Sequence, residues 1–124
     1  MKRDFDLVRK ILLQFEEKES STIVEKPEVE GYSYEIVSYH CRLLYDAGLL
    51  RCEPVVSTTS DRLIKVSPFE LTWDGHEFLD KIRSETTWNK IKIQAKEKGL
   101  ALSFSIVTEL AKRLAAQLLN GIAY

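Results

Sequence analysis

The stretch Leu43-Leu44-Tyr45-Asp46-Ala47-Gly48-Leu49-Leu50 decides the fold, because the hydrophobic period changes inside it. Before it, Ile36, Val37, His40, Cys41, Leu43, Leu44 and Ala47 recur at helical spacing, and Ser33 stands where a cap is needed. The spacing predicts a helix over 33–47, with Gly48 as the residue that lets the chain leave it. After Gly48 the period is 2. Residues 49–56 read as a strand, 57–61 as a polar tip and 62–66 as a returning strand, with Pro68 interrupting before Phe69-Glu70-Leu71. The leucine pair seats the helix on a core, the glycine reverses the chain, and the next leucine starts the hairpin.

Outward from this hinge the pattern stays helical at both ends. Phe5, Val8, Ile11, Leu12 and Phe15 predict an amphipathic helix over 4–17, with Asp4 and Asp6 favoured at its positive end. Residues 22–30 carry β-branched side chains around Lys26-Pro27 and read as one short strand or a loose hairpin. Thr72 is placed to cap a third helix whose buried side is Phe78, Leu79 and Ile82. Residues 84–87 read as a break, after which Trp88, Ile91 and Ala95 carry a helical face to about residue 98. Ser103 caps the last helix, with Phe104, Ile106, Val107, Leu110, Ala111, Leu114, Leu118 and Leu119 as its stripe and Gly121 just past its end.

A helix that runs directly into a two-stranded hairpin is the layout of a winged-helix-like α+β domain, here with a C-terminal helical extension. Such domains ordinarily hold one more helix before the recognition helix, and residues 22–31 stand in its place. The expected organisation is a winged-helix-like core over 1–72. Residues 73–124 add helices that pack on it and can dimerise, within one compact domain overall. At 124 residues the chain has the length of one ordinary domain.

Several spaced motifs carry a family resemblance. They are Met1-Lys2-Arg3-Asp4, Gly31-Tyr32-Ser33, Tyr39-His40 before Leu43-Leu44, Ala47-Gly48-Leu49, Leu71-Thr72-Trp73-Asp74-Gly75-His76-Glu77-Phe78-Leu79, and Thr87-Trp88-Asn89-Lys90. Together they resemble domain-of-unknown-function family 2513, a family of small phage and bacterial proteins, along nearly the whole chain. The layout is also similar to the YjcQ-like winged-helix proteins. The resemblance implies a winged-helix-like fold and a prophage or mobile-element setting, and it brings no catalytic residues with it.

Charge bounds the function classes. Eighteen Lys and Arg against nineteen Asp and Glu give a formal net charge of −1, which excludes a strongly basic chromatin-type protein. The balance is uneven: nine bases and twelve acids up to Arg62 make −3, and nine bases and seven acids after it make +2. Seven acids crowd residues 16–35 against only Lys18 and Lys26. No stretch approaches the roughly 18 apolar residues of a membrane span. The charged residues 1–6 do not form a signal peptide. Cys41 and Cys52 have no metal spacing with His40 or His76 and read as reduced thiols. A cytoplasmic protein without membrane contact, metal or cofactor is expected.

On a winged-helix layout the helix over 33–47 is the major-groove reader, with Tyr34, Glu35, Ser38, Tyr39, Arg42, Tyr45 and Asp46 facing outward. The candidate DNA contacts are Ser38, Arg42 and Tyr45 on this helix and Arg62 and Lys65 on the hairpin. Against them stand Glu35 and Asp46, and a solvated polar face is the competing reading. Double-stranded DNA is therefore one expected partner. A host or phage protein, met by the acidic 16–35 strip and the last helix, is the alternative. The lysines after residue 80 read first as a solvated face. Phe104, Leu110, Leu114 and Leu118 are the candidate homodimer interface, although a small domain closes such a stripe on its own core first. No enzyme is expected. His40 and Cys41 are adjacent on a helix and point about 100° apart, so they form no nucleophile–base pair, and His40 reads as a core-edge residue with one hydrogen bond. Asp74, His76 and Glu77 have no partner nucleophile, no phosphate-binding loop is present, and Trp73 and Trp88 read as packing residues.

Overall fold

The fold follows from caps placed where the sequence puts them. In the computed structural model, which describes residues 1–122, α1 spans Phe5–Glu16 and α2 spans Tyr34–Asp46. The Asp4 carboxylate accepts the backbone N–H groups of Asp6 and Leu7 at 2.9 and 3.2 Å, and the Ser33 hydroxyl accepts that of Ile36 at 3.3 Å. Each satisfies donors that the first helical turn leaves open. α2 ends as Gly48 takes φ 76°: Leu49 N–H then bonds the Leu44 carbonyl at 2.9 Å, and Gly48 N–H bonds that of Tyr45 at 3.0 Å. This paired closure is the Schellman arrangement, and it aims the chain straight into the hairpin.

β1 (Leu50–Val56) and β2 (Leu63–Leu71) pair antiparallel, from Leu50 opposite Leu71 to Val56 opposite Leu63. Contrary to the sequence expectation, Pro68 does not interrupt the returning strand. The register slips by one residue between Arg51 and Cys52, so that Phe69 is extra and Pro68 sits at a bulge. A bulge is one of the few sheet positions where a residue without an N–H is tolerated. The Pro68 carbonyl is used too, accepting the Val24 N–H at 2.8 Å.

That bond is what becomes of residues 22–30. They form neither a strand nor a hairpin; a single backbone bond ties them to β2, and the Gln14 side-chain amide donates to the Glu28 carbonyl at 2.9 Å. Pro27 removes a donor from the middle of the segment, which prevents a continuous ladder. Pro27 and Val29 are buried, so the segment covers apolar surface without regular structure.

Thr72 joins the hairpin to α3 (Trp73–Ile82). Its hydroxyl donates to the Gly48 carbonyl at 2.6 Å and accepts the Gly75 N–H at 2.9 Å. α4 spans Glu85–Glu97, and α5 spans Phe104–Ile122. The break expected at 84–87 narrows to Arg83 and Ser84. The Ser84 hydroxyl accepts the Thr87 N–H at 3.3 Å, which makes 85–87 the first turn of α4. Gly99, at φ 66°, closes α4 with the same paired bonds as Gly48, Leu100 to Ala95 and Gly99 to Lys96. Gly121 lies inside α5 rather than past its end.

The molecule is α+β, winged-helix-like in α1, α2 and the hairpin, with helices following. Two compact units are distinguishable, residues 1–77 and the residues from 78 onward, so the boundary falls within α3. The first has a core of Phe5, Leu7, Ile11, Leu12, Val37, Cys41, Leu44, Leu50 and Leu71. In the second, Phe78, Leu79, Ile82, Trp88, Ile91, Ala95, Val107 and Leu110 are buried. Among the described residues no helix is long and apolar enough to cross a membrane.

Candidate nucleic-acid interface

The outer face of α2 and the returning strand of the hairpin enclose a shallow concavity of about 360 Å³, lined by Tyr34, Glu35, Ser38, Tyr39 and Arg42 from α2, Ile64 and Lys65 from β2, and Met1. Helical geometry accounts for the α2 side: residues 34, 38 and 42, with 35 and 39, recur every four positions and share one face. Strand geometry brings Lys65 to the rim, opposite Val55. Three of the five candidate contacts, Ser38, Arg42 and Lys65, thus meet at one place. Tyr45, half-buried, and Arg62, exposed at the hairpin tip, do not line it.

The charges in the concavity already have weak local partners. The Arg42 guanidinium lies 5.6 Å from the centre of the Tyr39 ring, which holds the side chain against α2. Lys65 Nζ is 4.0 Å from the Glu25 carboxylate, an exposed pair worth little in water. Glu35 lies on the same lining and opposes an anion. Lys26 Nζ rests 5.5 Å above the Tyr34 ring. The chemistry on offer is therefore two cations, one hydroxyl and two phenols around an opening, with one carboxylate beside them.

Behind this face sits His40, fully buried. The sequence reading gives it one hydrogen bond; it makes two. Its Nδ1 donates to the Ile36 carbonyl at 2.8 Å, and its Nε2 accepts the Asp4 backbone N–H at 2.8 Å. An N–H can only donate, so Nε2 is the unprotonated nitrogen and the proton is on Nδ1. Tyr39 packs edge-on against the imidazole at 5.7 Å. Around the same Asp4, Tyr32 has its phenol pKa raised by burial, by the Asp4 charge and by its hydrogen bond to that carboxylate. Sequence reasoning misses this junction because Asp4 and His40 are distant in the chain. The one available signal was a histidine on an otherwise apolar stripe.

Other sequence expectations resolve plainly. Trp88 is buried, but Trp73 is 75% exposed and packs in no core. Ile36 lies at the edge of the α2 stripe and is 43% exposed. Burial pushes the Cys41 and Cys52 thiols up to about 12, with the neighbouring Cys41 adding to the effect on Cys52, so both stay protonated at neutral pH. Among the described residues no group of three or more His, Cys, Asp or Glu is placed to hold a metal ion. In α5, Leu110 and Leu114 are buried, and Phe104 packs edge-on against Phe78 at 4.8 Å. Leu118 is 65% exposed, beside the equally exposed Leu119.

The comparisons agree with the motif reading. A family model described as "Hypothetical protein (DUF2513)" matches residues 2–101. A protein of Haemophilus influenzae, described as uncharacterized, is 40% identical over 120 residues, covering 96% of this chain and 99% of that one. No solved structure matches the chain. The matched region takes in α1, α2, the hairpin, α3 and α4, with every α2 and β2 residue that lines the concavity, so the chain belongs to the DUF2513 family.

Proposed function

We propose that this is a small, cytoplasmic, non-enzymatic DNA-binding regulator of phage or prophage type, with α2 as its major-groove helix and the β1–β2 hairpin as its wing. The observation that carries this reading is the convergence of Ser38 and Arg42 from α2 with Lys65 from the wing on one open concavity. A helix in the major groove reads base edges with its outward side chains, and Arg is the side chain that pairs bidentately with guanine. Arg42 is the base reader, Ser38 supports it, and Lys65 takes a phosphate. Arg62 and Tyr45 add outer contacts. Glu35 sets the register by repelling any phosphate that approaches its end of the groove. The protein acts as a homodimer, so that two α2 helices meet two half-sites. Leu118 and Leu119 supply the contact, since Leu110 and Leu114 are buried within the chain.

The test is fluorescence anisotropy with a labelled duplex spanning DNA that flanks the protein's own gene, beginning at low salt. Arg42→Ala is expected to cost about 1–3 kcal/mol, roughly 5- to 150-fold in affinity, and to relax preference at one base position. Lys65→Ala is expected to weaken binding to all sequences alike and to lower the salt slope by about one. Absence of salt-dependent binding by the wild-type protein to any such duplex overturns the reading.

A further inference from the structure

We infer that Lys2 and Arg3 form a basic arm, docked beside α2 by His40, which contacts the DNA backbone next to the groove that α2 enters. The inference rests on the DNA-binding reading above and adds a second contact element to it.

One hydrogen bond and one neighbouring position define the arm. At one end the Asp4 N–H is bonded to His40 Nε2, on a fully buried imidazole that is itself held by the Ile36 carbonyl. At the other, Met1 lines the concavity shared by Ser38, Arg42 and Lys65. Lys2 and Arg3 lie between these points, and both are exposed. The short run before α1 therefore follows the outer side of α2 instead of leaving the domain, and it brings two cations to the rim of the candidate interface.

Arg3 has its guanidinium 5.6 Å from the centre of the Phe5 ring, which holds the side chain near the surface while its donors remain available. The charge matters because α2 alone is poorly suited to DNA. It offers Arg42 against Glu35 and Asp46. Lys2 and Arg3 offset Glu35 and Asp46 without altering the reading face.

The partner chemistry is the phosphate backbone of double-stranded DNA. The arm stands at the rim of the concavity and outside the reading face of α2, and the Lys2 ammonium and Arg3 guanidinium both suit phosphate oxygens. His40 is a positioning residue: it touches no DNA and acts by holding Asp4. This role also gives a reason for a buried histidine in an apolar stripe, since an apolar side chain there would leave the Asp4 N–H without its acceptor.

The experiment is a salt titration of the 124-residue chain with a labelled mixed-sequence duplex, comparing wild type with Lys2→Gln/Arg3→Gln. The double variant touches only exposed residues, so its fold is expected to be unchanged by circular dichroism. Loss of two phosphate contacts is expected to lower the slope of log K against log salt by about 1.8, so that a fourfold rise in salt weakens binding about twelvefold less than for wild type. An unchanged slope, with wild-type protein binding normally, overturns the arm and leaves the α2 reading standing. Failure of the wild-type protein to bind at any salt concentration overturns both. Positioning by His40 is read separately from His40→Phe in the two backgrounds. Weakening in the wild-type background that disappears in the arm variant is the expected coupling, and equal weakening in both backgrounds removes His40 from the proposal.

Discussion

Replacing Gly75 by alanine is expected to destabilise the first unit by about 3 kcal/mol, at the upper end of what overpacking costs. A Cβ at this position would stand 2.1 Å from the Leu49 carbonyl oxygen, 3.1 Å from its carbon and 3.4 Å from Leu71 Cβ. The clash cannot be relieved by turning a side chain, because the oxygen belongs to the backbone. That oxygen is also anchored, accepting the Thr72 N–H at 3.1 Å, while the Thr72 hydroxyl holds the adjacent Gly48 carbonyl. Relief requires the first turn of α3 to withdraw from the turn that links α2 to the wing. The gain in helix propensity from alanine, roughly 1 kcal/mol, is too small to offset this. Thermal denaturation is expected to show a fall of roughly 10 °C. Gly121→Ala is the matching control. It lies in α5 with nothing within 4 Å of the added carbon, and is expected to be neutral or slightly stabilising. A Gly75→Ala variant as stable as wild type would contradict the close approach of α3 to the hinge.

Trp88→Ala is expected to have an effect of similar or larger size, about 3–5 kcal/mol, because it empties the largest fully buried side chain of the molecule. Trp88 is 2% exposed on the buried face of α4 with Ile91 and Ala95, and Lys92 Nζ lies 5.7 Å above its ring. The loss combines the transfer energy of an indole with the cost of the cavity left behind. Fluorescence separates the two tryptophans. In Trp73→Phe the remaining emission is expected to be blue-shifted and resistant to acrylamide, whereas in a folded Trp88→Ala protein the exposed Trp73 is expected to be quenched readily. Ready quenching in Trp73→Phe would contradict the burial of Trp88.

The features legible in the sequence act over a single helical turn. Ser33, Ser84 and Ser103 cap by bonding an N–H three residues on, and Gly48 and Gly99 close helices through bonds confined to six residues. These local signals give α1, α2, β1 and the first part of β2, and they place Ser38, Arg42 and Lys65 on the elements that line the concavity. Where sequence reasoning failed, the deciding partner was remote. Pro68 reads as a strand breaker until Phe69 bulges and Val24 arrives to use the proline carbonyl. His40 reads as an ordinary core-edge histidine until Asp4 supplies the second bond. Trp73 misled for another reason. Aromatic residues are usually buried, but at 3.6 residues per turn it stands about half a turn away from Ile82, off the buried side of α3. Gly121 misled because an exposed helix end tolerates glycine within it at modest cost.

Backbone amide shift mapping during titration with a short duplex shows whether α2 and the wing form a DNA-reading surface. The shifted amides are expected to cluster at residues 2–3, 34–42 and 62–65 and to return as salt is raised, while those of 110–119 stay in place. Shifts confined to α5, or none at low salt, would contradict it.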